Sequence, residues 1–154
     1  MPSRRDLIKM SESEVLQFLH GAKTMSLATI SASGQPHLVA MWFIVNENRL
    51  EFWTFAKSQK AVNLRRDPRA TVLIESGETY SELRGVEIAG TCELLDELGE
   101  VDRIGTALFR RYMGDDASSL QREQFLASAP KRLGFRLHPS RVVSWDHTKL
   151  QGIY

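Results

Sequence analysis

The sequence predicts a mainly β protein: an antiparallel sheet that closes into a small barrel, with helices at its periphery. Three observations carry this. Apolar runs rich in β-branched and aromatic residues recur along the chain. Helical periods occur only in a few separated stretches. The regular strand–helix–strand alternation of a parallel sheet is missing, which favours an antiparallel barrel. The 154 residues are one domain's worth and enough to close a hydrophobic core, so residues 1–154 are read as a single domain.

The elements follow in order. Ser11-Glu12-Ser13-Glu14 has the form of a capping box, with Val15, Leu16 and Leu19 as one apolar stripe behind it and Gly21 closing a short helix. "TMSLATI" and "PHLVAMWFIV" are strands joined by the turn cluster "SASGQ". "NEN" separates the second from "RLEFWTF", where Leu50, Phe52 and Thr54 alternate with Glu51, Trp53 and Phe55. These three runs predict a three-strand meander. A short helix begins near Ser58 and stops at Asp67-Pro68. "ATVLIE" is a buried strand, "SGETYSEL" a loop, and "RGVEIAGTCELL" a long strand with Val86, Ile88, Cys92 and Leu94 on one face. From Glu97 to Met113 the period is helical again, lined by Leu98, Val101, Ile104, Leu108 and Tyr112 and ended by Gly114. "DDASSLQREQFLASAP" is polar and partly helical. "RLGFRLH" and "RVVSWD" predict two strands split by a Pro-Ser turn, with His138 at a strand end.

Composition excludes several functions. Apolar residues make up 42% and charged residues 25%, ordinary for a globular domain, and the formal net charge of +1 gives no polyelectrolyte character for nucleic acid. No run of about 18 apolar residues provides a membrane span. "MPSRRDLIKM" carries the charge of a signal n-region, but no apolar h-region follows it. Cys92 is the single cysteine and has no partner for an intrachain disulfide, which fits a reducing compartment. A cytoplasmic protein is expected.

The chemistry concentrates in "TFAKSQKAVNLRRDPR", residues 54–69. With Ser58 as N-cap, the free amides of the first helical turn point outward and carry partial positive charge. Lys57 precedes the cap and Lys60 lies in the first turn, leaning back toward the N-terminus. Cations there oppose the helix dipole, and an anion bound between them would remove the conflict. A solvated basic patch is the other reading of the same residues. Elsewhere the signals are thin. His20, His37, His138 and His147 show no HExxH or paired spacing, so no metal site is expected. Asp146-His147 and scattered serines lack the G-x-S-x-G of a nucleophile elbow. Cys92 alternates with core residues and reads as an inert buried thiol. Trp42 and Trp145 read as packing, whereas Trp53 lies beside the anion candidate. No catalytic acid or base stands out.

The stretch "TISASGQPHLVAMWFIVNENRLEFWTFAKSQKAVNLRRDPRATVLIE" resembles the flavin/deazaflavin oxidoreductase superfamily, the pyridoxamine 5'-phosphate oxidase-like (FMN-binding) split barrels. The resemblance rests on Ala28-Thr29-Ile30, Gly34-x-Pro36-His37 and the run from Thr54 through Ser58, Lys60 and Asn63 to Arg69. A weaker echo lies in "RRYMG" and "LGFRLHPSRVVSWD". It implies a split-barrel homodimer whose cofactor site is completed by the second subunit. It also implies a cofactor phosphate at Lys57, Ser58 and Lys60, a ring system against Val39, Ala40, Met41, Trp53 and Thr54, and a role for Asn63, which could equally be a helix-packing hydrogen bond. The Arg-x-His substrate signature of true pyridoxamine-phosphate oxidases has no counterpart near the C-terminus, and the chain is shorter than those enzymes. It is more similar to the compact group using the deazaflavin coenzyme F420. That implies hydride transfer from reduced F420 to an unidentified small organic acceptor, with Arg65, Arg66 and Arg69 placed for the cofactor's oligoglutamate tail or, alternatively, facing solvent. An FMN-dependent oxidase or reductase and a non-catalytic cofactor carrier are the alternatives.

Overall fold

A computed structural model describes residues 1–152. The helices are α1 (Arg4–Ile8), α2 (Glu12–Gly21), α3 (Gln59–Arg66), α4 (Leu98–Met113) and α5 (Ser119–Leu126). The strands are β1 (Met25–Ile30), β2 (Pro36–Met41), β3 (Ile44–Asn46), β4 (Arg49–Phe55), β5 (Arg69–Ser76), β6 (Arg84–Leu95) and β7 (Arg132–Asp146). The Ser11 capping box forms as read, Ser11 Oγ accepting from Glu14 N–H at 3.2 Å and Glu14 accepting from Ser11 N–H at 2.6 Å. The loop at residues 76–83 contains a 3₁₀ turn, Tyr80–Glu82. Helix α1 was not anticipated, although Ser3 and Asp6 form the same kind of box.

All strands pair antiparallel in one seven-stranded sheet of order β2-β1-β5-β6-β7-β4-β3. The two ends of that order are consecutive in the chain. Only Trp42 and Phe43 separate β2 from β3, so three Cα steps hold Met41 and Ile44 within about 11 Å. The sheet therefore curls until its ends approach without pairing, a mainly β, split antiparallel barrel. This corrects the expected meander: 36–45 is not one strand, because its two halves pair on opposite sides of the split. The break is stabilised by Tyr112. Its hydroxyl accepts from Phe43 N–H at 3.0 Å and shares its proton between the carbonyls of Lys23 (2.7 Å) and Phe43 (3.0 Å). Trp42 stacks on the same ring, centroids 4.3 Å apart.

One core fills the barrel, with Met25, Leu27, Phe52, Val72, Val86 and Phe135 among its members. A second lies under α4, where Ile44, Trp53 and Leu95 meet Val101, Ile104 and Leu108. Strand β4 is thus covered on both faces, and Leu50 through Thr54 are all buried rather than alternating. Gly105 permits the second core, since a Cβ there would lie 2.4 Å from the Trp53 ring. Leu94 and Leu98, read as inward, are exposed.

The C-terminal strands are one strand. Ala89 pairs with Arg141 and Gly90 with Pro139, leaving Ser140 as the extra residue of a β-bulge. A bulge tolerates the missing N–H of Pro139, so the chain bends there without turning. His138 accordingly sits within β7 opposite Thr91, with Nε2 2.6 Å from Glu93 Oε2.

Candidate functional site

Strand β4 delivers the chain to the barrel end, and α3 begins five residues past Thr54. Ser58 has the extended backbone of an N-cap, and its hydroxyl accepts from Ala61 N–H at 3.4 Å. The same hydroxyl lies 3.1 Å from the Thr54 hydroxyl, which is buried. The amides of Gln59 and Lys60 have no intrahelical acceptor and face the end of the helix. Lys57 is exposed and Lys60 half-buried.

Asn63 fixes this helix to the sheet. Its Nδ2 donates to Thr29 Oγ1 at 3.0 Å and its Oδ1 accepts from Gln59 Nε2 at 2.8 Å. Asn63 is fully buried and Thr29 nearly so. The amide's hydrogen-bond partners among the described residues are protein groups, a contact that packs α3 against β1. Across the β1–β2 pair His37 stands opposite Thr29, and its buried Nδ1 has no partner among the described residues.

The structure adds a residue that local sequence could not reveal. Pairing of β4 with β7 sets Arg132 opposite Phe55, and Arg132 comes close enough to Lys60 to act on its charge. Burial first, then the Arg132 charge, pulls the Lys60 ammonium below the usual lysine range. Burial does the same to Arg132. The guanidinium lies 4.0 Å from the Phe55 ring centre and 4.5 Å from that of Trp53, and Nε donates to Ser128 Oγ at 2.8 Å. Among the described residues neither Lys60 nor Arg132 forms an ion pair. Two like charges, half-withdrawn from water at a helix N-terminus, suit an anionic ligand.

Other expected site residues are dispersed. Val39 and Met41 pack toward the barrel core while Ala40 points the opposite way and is exposed, so the strand's alternation divides them. The Trp53 indole stacks on Phe125, centroids 5.4 Å apart, and meets Arg132 and Gly105, which places it inside the α4 core. Arg66 donates to the Ile30 carbonyl. Arg69 closes on Asp67 at 2.7 Å, and that bond with the Arg69 backbone N–H holds the Asp67 carboxyl at about 2. Of these three arginines, Arg65 alone is exposed with neither an ion pair nor a side-chain hydrogen bond among the described residues. Cys92 is buried and its thiol is pushed up to about 12, in keeping with an inert thiol.

The sheet's outward face is open. Ser26 pairs with Leu73 and Ala28 with Thr71, and Thr71 pairs with Ala89, so small residues form its middle. Clefts of about 720 Å³ beside Phe18, Ser26, Leu73 and Arg84, and about 550 Å³ over Ala28, Ile30, Thr71 and Ala89, lie along it. Leu38, opposite Ala28 and 69% exposed, flanks it. The start of α3 lines neither cleft. No helix among the described residues is long and apolar enough to cross a membrane.

The profile of the family described as pyridoxamine 5'-phosphate oxidase matches residues 11–146. A conserved hypothetical protein from Mycobacterium tuberculosis is 42% identical, with 99% of this chain and 95% of that one covered and a TM-score of 0.90. A protein described as an F420 reductase shares the fold at TM-score 0.66 and 22% identity, covering 82% of this chain and 93% of its own. A FAD-binding protein from Mesorhizobium loti does so at TM-score 0.66 and 19% identity, covering 88% and 94%. No curated protein matches the sequence significantly.

Proposed function

The chain belongs to the pyridoxamine 5'-phosphate oxidase family, and from that premise we propose that it is a reductase using reduced coenzyme F420, with the cofactor phosphate held at the start of α3. One observation carries the reading: half-buried Lys60 beside half-buried Arg132, at a Ser58-capped helix start, with no carboxylate partner among the described residues. These residues fit a phosphate. The Gln59 and Lys60 amides would donate to it, Lys57 and Lys60 would neutralise it, and Asn63 would hold the helix in place. When bound, the reduced deazaflavin supplies the hydride. The protein's own part is then to bind, orient and exclude water, which agrees with the lack of an evident catalytic acid or base.

Thr54, at the cap, and Ala40, on the open face, are the proposed ring-side residues. A second copy of the chain is proposed to cover the outward sheet face, where small residues and exposed Leu38 leave apolar surface. The acceptor would then lie between subunits, in one of the clefts along that face.

FMN is the second reading, since a phosphate corner serves either ring and a similar fold binds FAD. Titration of purified protein with F420 and with FMN tests the choice. Tight F420 binding and turnover of an acceptor with reduced F420 are expected. Tight FMN binding without F420 binding would replace the leading reading, and F420 binding without turnover on any acceptor would favour a carrier.

A further inference from the structure

Two segments meet at the start of α3, and neither brings an acid. Residues 54–60 read TFAKSQK and residues 127–132 read ASAPKR, so Lys57, Lys60, Lys131 and Arg132 are their only charged members. Ala56 N–H donates to the Lys131 carbonyl at 2.9 Å, and Phe55 pairs with Arg132. Arg132 is held by the Ser128 hydroxyl and two aromatic rings. Its fork is therefore fixed in place, which lowers the entropic cost of taking a carboxylate or phosphate.

One phosphate at Ser58 and Lys60 answers only part of this charge. We propose that the corner binds a ligand with two separated anionic groups: a phosphate at Ser58 and Lys60, and a second phosphate or carboxylate at Arg132 and Lys131. This rests on the cofactor-phosphate reading and adds where the ligand's second charge goes. It moves that charge away from the end of α3, where Arg66 is engaged by the Ile30 carbonyl and Arg69 by Asp67. Both a diphosphate, as in FAD, and a glutamate tail, as in F420, have the required chemistry.

The test compares ligands with one and two anionic groups on the full chain. FMN and inorganic phosphate carry one; FAD, F420 of short and long tail, and inorganic pyrophosphate carry more. Lys131→Ala, Arg132→Gln and the double variant are titrated beside wild type over a range of salt, with thermal melting as the folding control. The double variant is expected to lose about tenfold in affinity for the two-anion ligands and no more than about threefold for single phosphates. Its salt dependence for the two-anion ligands should flatten as well. Arg132→Lys should recover part of the loss. Equal losses for both ligand groups, or none, would overturn the proposal. If the double variant melts early, Lys131→Ala, at an exposed position, provides the same comparison. Pyrophosphate binding that depends on these residues, with no cofactor bound by wild type, would sink the cofactor reading and leave this one standing. Cofactor binding with unchanged ligand preference in the variants would do the reverse.

Discussion

Lys60 and Arg132, from opposite halves of the chain, are both pulled below their usual ranges by burial, and the Arg132 charge adds to the effect on Lys60, with no ion-pair partner for either among the described residues. Removing Lys60 should therefore affect ligand binding and the free protein differently. Lys60→Ala is expected to weaken phosphate-bearing cofactors by about 1.5–3 kcal/mol, the usual loss for a charge-assisted hydrogen bond. Thermal melting of the ligand-free variant should show no comparable loss. Equal dissociation constants in wild type and variant would remove the site from this helix.

The same lysine predicts a pH dependence. Burial, and after it the Arg132 charge, holds its folded pKa below the usual lysine range. The unfolded chain therefore binds more protons in the window between the two, and stability rises with pH across it. Lys60→Gln should lack that rise. Denaturant midpoints for the two proteins should converge as pH climbs toward the usual lysine range and separate below the lowered folded pKa, with wild type the less favoured there. Parallel curves would show that Lys60 is not desolvated.

Asn63 is predicted to matter without touching ligand. Asn63→Ala leaves the buried Thr29 Oγ1 without its partner and removes the part-buried contact with Gln59 Nε2. The expected cost is about 1–3 kcal/mol of stability for the unsatisfied groups. Cofactor affinity should fall with it, as α3 loses its anchor to β1. A variant that melts as wild type does but loses affinity would instead place Asn63 in direct contact with ligand.

Tyr112 secures the split in the barrel. Tyr112→Phe keeps the ring that stacks on Trp42 but strips the buried Phe43 N–H of its acceptor. A loss of about 1–3 kcal/mol is expected by chemical denaturation. Hydrogen exchange should accelerate at Phe43 before it does at β5 or β6. An unchanged midpoint would mean that water replaces the hydroxyl.

Glu51 is a wholly buried carboxylate between two arginines. Burial pushes it up, but hydrogen bonds from Arg103, Asn46 and Arg136 outweigh this and leave it below the usual carboxylate range. The contacts are 2.9 Å to Arg103 and 2.8 Å to Arg136. Glu51→Gln should cost about 3 kcal/mol at neutral pH, the low end for breaking a buried pair, because Arg103 keeps 37% exposure. The stabilisation from Glu51 is present above the unfolded carboxylate range and is lost as pH falls through the lowered folded pKa. The gap between variant and wild type should accordingly narrow in acid.

What the sequence determined by itself was local. The Ser11 and Ser58 caps, the Asp67-Pro68 stop and the change of period at Glu97 each depend on residues within a turn or two, so α2, α3 and α4 were legible. So was the placing of Lys57, Ser58 and Lys60 at one helix start. Tertiary structure decided what depends on partners far along the chain. Nothing within 36–45 says that its halves pair on opposite sides of a split, because an apolar run has the same pattern whichever strand it meets. The alternation of β4 was hidden once α4 covered its outer face as well. Asn63 is committed to Thr29, Arg66 to the Ile30 carbonyl and Arg69 to Asp67 only after the helix docks. Arg132 reaches Lys60 solely through the β4–β7 register. Charge and propensity are written residue by residue, whereas burial and electrostatic neighbours arise from chain closure, and it is those that turn a basic helix start into a candidate anion site.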